Sequence, residues 1–132
     1  MLSKIIHDKN LKALMDSMPV SIFIKDAESN LVFMNHACEQ AWQISFADVI
    51  GTDGHQFFPP EQQACFLATD KEVFAGKVKV ECEEWIWNAA SKQNRLYITT
   101  KMPVYDALGQ PLFLIATTYD ITERKQSESR IQ

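Results

Sequence analysis

The sequence predicts an α+β fold: an antiparallel sheet covered on one face by a block of short helices. Three observations lead there. Two short β-branched and aromatic segments lie before residue 35, and three longer ones follow residue 77. A run of helix caps and prolines separates the two groups. The late strands are joined by short connections, which pair neighbours antiparallel. Helices inserted as a block between strands favour one covered face.

The elements follow in order. Leu11, Leu14, Met15 and Met18 keep the i, i+3, i+4, i+7 spacing of one apolar helix stripe. Asp8 is placed to cap that helix, and Pro19 ends it. Val20–Lys25 and Leu31–Met34 read as strands, with Asp26–Asn30 as turn chemistry between them. Asn35 is a good cap for a helix over His36–Trp42, and Phe46–Ile50 reads as a further helical turn closed by Gly51. Pro59 and Pro60 open the longest interior helix. Its face is read as Ala64, Leu67, Lys71 and Phe74, with Gly76 as its stop. Three strands are expected at Val78–Asn88, Arg95–Tyr105 and Leu112–Ile121. Thr122 is read as the cap of a polar last helix reaching Gln132. That helix has too little apolar surface to bury itself, so it must continue, pair or fray.

Composition narrows the function. A chain of 132 residues with 46% hydrophobic and 23% charged residues suits one globular domain. The net charge of −4 and the lack of any basic stripe argue against nucleic acid. No apolar run reaches the roughly 18–20 residues needed to cross a bilayer, and no signal-peptide pattern opens the chain. Cys38, Cys65 and Cys82 are odd in number and far apart, which fits a reducing compartment and small buried hydrophobes. The expected location is the cytoplasm, with no direct membrane contact.

Four stretches carry a family resemblance. They are Val20–Asp26 with Leu31–Asn35; Asp48-Val49-Ile50-Gly51; Thr99–Val104 with Asp106 and Gly109; and Asp120-Ile121-Thr122-Glu123-Arg124-Lys125. In this order the chain resembles the PAS family, in the form found in bacterial diguanylate cyclases and sensor histidine kinases. The match runs over about residues 10–132. Gln43 departs from it, since many relatives carry glycine there. The resemblance implies a five-stranded antiparallel sheet in the order 2-1-5-4-3, with small helices enclosing a pocket. It divides the chain into a flanking helix (1–19), a sensor core (20–121) and the start of a signalling helix (122–132).

The chemistry expected is that of a sensor and not of an enzyme. The sequence lacks G-x-S-x-G, Walker A, G-x-G-x-x-G and H-E-x-x-H patterns. His7, His36 and His55 have no ligand-spaced partners. Light-sensing relatives carry a reactive cysteine before the long helix, where this chain reads His55–Pro60. Haem-binding relatives place a histidine on that helix, and Glu61–Ala75 has none. C-x-x-C-H is also absent. Neither a flavin adduct nor such a haem is therefore expected.

The family's register implies a pocket-facing set of Phe23, Lys25, Trp85, Trp87, Tyr97, Thr99, Lys101, Ala116 and Thr118. Ile22, Ile24, Ile86, Ile98, Ile115 and Thr117 then face the other way. Aromatics with a few polar groups are the usual lining of a small-molecule site. Two enclosed lysines call for an anionic partner, which suggests a small carboxylate ligand held by Lys101 with Lys25. Otherwise the lysines snorkel to solvent and the tryptophans fill the core. The isoleucine face needs cover, which the first helix of this or a second copy can give, so a homodimer is expected. The resemblance makes Asp120, Ile121 and Thr122 the relay to an output domain, a diguanylate cyclase or histidine kinase. The alternative is a ligand-free dimerisation or docking domain.

Overall fold

The computed structural model describes residues 8–76 and 79–131; His7, Val78 and Gln132 lie outside them. Helix α1 (Lys9–Asp16) starts at Asp8, whose carboxylate accepts from the Asn10 and Leu11 amides. Strands β1 (Ser21–Asp26) and β2 (Leu31–Met34) form the first hairpin. Its turn is held by Asp26, which accepts from the Glu28 and Asn30 amides. Helix α2 (His36–Trp42), the short α3 (Phe46–Val49), a 3-10 turn (His55–Phe57) and α4 (Pro60–Gly76) form the helical block. Strands β3 (Val80–Asn88), β4 (Gln93–Tyr105) and β5 (Pro111–Asp120) complete the sheet, and α5 (Thr122–Ile131) leaves it.

All four strand pairings are antiparallel, and the order is β2-β1-β5-β4-β3. The last strand thus sits at the centre, beside both the first hairpin and the long β4. The inner face and the helices enclose the main core: Phe23, Leu31, Met34, Cys38, Val49, Val73 and Leu114 are among its members. On the outer face Met15 of α1 packs against Ile24, Val32, Phe33, Phe113 and Ile115. The first helix therefore covers its own sheet through Met15, while Leu14 and Met18 of the same stripe stay exposed.

Gln43 ends α2 in the left-handed region, with φ 54° and ψ 44°. A glycine would take that conformation freely; a side chain is strained there. The departure from the family pattern thus leaves the turn intact at a local cost.

Two sequence expectations fail, for related reasons. The buried face of α4 is not Ala64, Leu67 and Lys71, all of which are exposed. It is Asp70 and Val73, with the partly buried Phe66 and Phe74 beside them. An aspartate in the middle of the stripe hides its apolar period. The inward face of β3 is also shifted by one residue. Glu84 and Ile86 face the helices, and Trp85 is 57% exposed on the opposite side. Ile86→Ala should cost about 2–5 kcal/mol, whereas Trp85→Ser should stay within about 0.5 kcal/mol. Urea unfolding of the two variants checks this register directly.

Candidate functional site

A cavity of about 30 Å³ lies between the inner face of the sheet and the helical block. One buried water needs about 10–15 Å³ on this measure, so the space suits about two. Its walls include Phe23 of β1, Leu31 and Met34 of β2, Trp42 of α2, and Phe58 and Phe66 around α4. The aromatic wall is continuous: Phe23, Trp42, Phe58 and Phe66 meet in sequence at ring separations of 5.2–5.3 Å. Gly54 also lines the space with φ +72°. A Cβ there would come within 2.7 Å of Leu31 Cδ1, so the loop approaches the hairpin only because the residue is glycine.

Polar groups enter this apolar shell from three elements. Lys25 of β1 and Lys101 of β4 both reach Asp70 of α4, at 2.7 Å to Oδ2 and Oδ1 respectively. The lysines are 3% exposed and Asp70 is 0% exposed. Burial pushes the Asp70 carboxyl up, but the two ammonium groups beside it hold it below the usual carboxylate range. Burial lowers Lys25 below its ordinary value, and Asp70 opposes that shift. The ion pair also has a mechanical role, because one carboxylate on α4 fastens two strands separated in the sheet by β5.

Next to this group, Thr99 and Thr118 stand opposite each other on β4 and β5 and line the cavity. Asp53, at the exposed mouth, and Glu84 of β3 line it too.

The expected site residues can now be placed. Phe23, Lys25, Thr99, Lys101 and Thr118 all line the cavity. Tyr97 faces inward but packs with Phe58 and Ile86, its hydroxyl accepting from Asn88 Nδ2 at 2.8 Å. Ala116 is wholly buried in the core. Trp85 and Trp87 do not line the cavity. Their strand is an edge strand whose register against β4 sends odd-numbered residues outward, and Ile86 takes the inward place. Trp87 is half-buried against the Phe58–Ile86–Tyr97 cluster, with its amide donating to Gln62. The lysines do not snorkel to solvent: each is 3% exposed, and the protein's own Asp70 is a counter-ion to both.

Cys38 is fully buried, and burial pushes its thiol well above the ordinary value. It is held as a thiol, the form least suited to attack or ligation. Among the described residues no group of His, Cys, Asp or Glu is placed to hold a metal ion. No described helix is long and apolar enough to cross a membrane.

The exit from the sheet is built beside the cavity. Thr118 lines the cavity, and Asp120 follows two residues later. Asp120 pairs with Arg95 of β4 and accepts the Thr122 amide. Burial raises the Asp120 carboxyl, but the Thr122 amide and Arg95 outweigh it and leave the group below its usual range. Ile121 is 1% exposed, and its amide donates to Leu96 O. Thr122 Oγ1 accepts from the Leu96 amide at 2.8 Å, so this hydroxyl joins α5 to β4.

The family model described as the PAS fold matches residues 15–126. The chain belongs to the PAS family. It is 25% identical over 122 residues to the aerobic respiration control sensor protein ArcB of Escherichia coli, covering 92% of this chain and 16% of ArcB. It is 26% identical over 113 residues to a diguanylate cyclase of Vibrio cholerae, covering 83% of this chain and 34% of the cyclase. The chain therefore spans well under half the length of both relatives. The PAS domain of Bordetella pertussis BvgS superimposes with a TM-score of 0.74 at 19% identity, over 93% of this chain and 92% of that one. The PAS fold is a sensory, non-catalytic one, and relatives of this chain include a histidine kinase and a diguanylate cyclase.

Proposed function

We infer that this PAS domain reports the state of its interior cavity to an output domain through α5. The carrying observation is the joint at the end of β5. Thr118 touches the cavity, and two residues later Asp120 begins the cluster that fixes the root of α5 to β4. A ligand that prefers one position of β5 would shift the helix by its difference in affinity for the two states. The longer relatives include a diguanylate cyclase and a histidine kinase, which supports one of these as output. In this reading the domain performs no chemistry, uses neither a flavin adduct nor haem, and works in the cytoplasm.

The joint can be tested in a chimera in which the domain replaces the PAS segment of the Vibrio cholerae cyclase. Thr122→Val removes the hydroxyl bond to Leu96, and Arg95→Ala removes the partner of Asp120. Each should change cyclase output several-fold while the melting temperature falls only slightly, since both sites are near the surface. Unchanged output from both variants would sink the relay.

The outer face favours a second, compatible reading. Trp85, Met102 and Tyr119 are 57%, 44% and 54% exposed there, and Leu14 and Met18 of the first helix stripe are exposed as well. An apolar surface of this kind suits association, and a homodimer is proposed through it.

A further inference from the structure

Two hydroxyls mark where a ligand belongs. Thr99 and Thr118 face each other across β4 and β5, are 2% and 4% exposed, and line the cavity. Neither Oγ1 has a hydrogen-bond partner among the described residues. A buried hydroxyl without a partner is destabilising, and valine would fill the same volume without that penalty. Lys101 lies two residues along β4 on the same face. It has three N–H donors, and among the described residues the hydrogen bond it makes is the one to Asp70. The cavity floor is thus richer in donors than the protein itself can satisfy.

The surrounding charge decides what kind of molecule fits. Lys25 and Lys101 already share Asp70. Asp53 at the mouth adds its field at Lys25, and Glu84 lines the same space. An added carboxylate would meet three carboxylates, and an added cation would meet two ammonium groups. The remaining wall is aliphatic and aromatic, and the room is that of a few heavy atoms.

We propose that the cavity takes a small uncharged molecule bearing carbonyl or hydroxyl oxygens. Its oxygens accept from Lys101 and pair with Thr99 Oγ1 and Thr118 Oγ1, and its carbon skeleton lies against Phe23, Trp42 and Phe58. This deepens the sensory reading and rests on it, because Thr118 leads directly to the joint at Asp120.

The probe is acetamide, with the isosteric acetate as its anionic counterpart, titrated into the purified domain and followed by the amide and methyl NMR signals of Thr99 and Thr118. Acetamide should shift those signals saturably, and acetate should bind at least about tenfold more weakly. Thr99→Val and Thr118→Val should each weaken acetamide by about tenfold, the ratio that loss of one ordinary hydrogen bond gives. Each should also raise the melting temperature of the ligand-free domain, which shows that the variants fold. Acetamide binding unchanged in both valine variants would overturn the proposal. So would tighter binding of acetate, or no shift with either probe, which would leave water as the occupant. The cyclase chimera reads the relay without added ligand. Failed binding with a working joint therefore defeats only this inference, and a silent joint defeats the sensory reading.

Discussion

Replacing Asp70 by alanine should destabilise the domain by about 3–5 kcal/mol, the cost of breaking a buried ion pair from one side. Two ammonium groups, each 3% exposed, would lose the carboxylate they share. Small domains are stable by roughly 5–15 kcal/mol, so this variant sits near the limit of folding. The comparison that isolates charge from packing is Lys25→Met, Asp70→Leu and Lys101→Met combined. Buried ionic groups replaced together by well-packed apolar ones are often neutral or stabilising. The triple variant should therefore unfold at a urea concentration near or above that of the parent, while Asp70→Ala unfolds far below it. If Asp70→Ala lost less than about 1 kcal/mol, the lysines would have to find water, and the enclosed ion pair described here would be wrong.

The same group sets an acid limb. Asp70 titrates below its ordinary value in the folded protein, and near 3.9 when unfolded. The folded state thus binds fewer protons as pH falls through that range. The stability Asp70 supplies is complete above about pH 5 and is lost as pH drops through 4 towards its folded value. Lys25 acts at the alkaline end. Its folded value is lowered, so its protonated form costs stability, and that cost fades as pH rises towards about 10.4. Melting curves between pH 5 and 3 should show a shallower loss for the triple variant than for the parent.

The strand order and the exit motif were legible through the family resemblance, and the hairpin turns through local signals. Asp26 and Asp106 each accept two amides within their turns, and such turns can be read from sequence. Lys25, Thr99, Lys101 and Thr118 were legible because period-two alternation fixes a central strand once one residue is placed. Strand β3 was not. Its outer face carries Trp85 and Trp87, its inner face carries Glu84, and hydrophobicity alone therefore points the wrong way. A one-residue slip reverses every side chain, and only the pairing of Ile86 with Arg95 resolves it. Asp70 was hidden for a different reason. Its burial depends on two lysines 45 and 31 residues away, and no local pattern on α4 reports them. The signal that could have found it was the lysines themselves: two inward ammonium groups demand a carboxylate, and the nearest helix facing them carries one.

Asn35 should rival Asp70 in effect, although it bears no charge. From sequence it is a helix cap, and it does accept the Cys38 amide at 3.1 Å. A cap alone contributes about 1 kcal/mol. The folded chain asks more of it. The same Oδ1 accepts the Ile22 amide, and Nδ2 donates to Met15 O and Val20 O, at 2.9–3.0 Å. One wholly buried side chain thus joins the end of α1, the start of β1 and the start of α2. Asn35→Ala would take this partner from the Ile22 and Cys38 amides and the Val20 carbonyl, each loss costing about 1–3 kcal/mol where water cannot reach, while the Met15 carbonyl keeps the Met18 amide. The expected loss is about 3–5 kcal/mol by urea unfolding. Asn35→Ser, which keeps only a capping hydroxyl, should recover about 1 kcal/mol of it. Asn35→Asp should not restore stability, because it keeps the acceptor but sets a carboxylate against the Met15 and Val20 carbonyls. If alanine cost no more than the cap, the four bonds would be geometry without energetic weight.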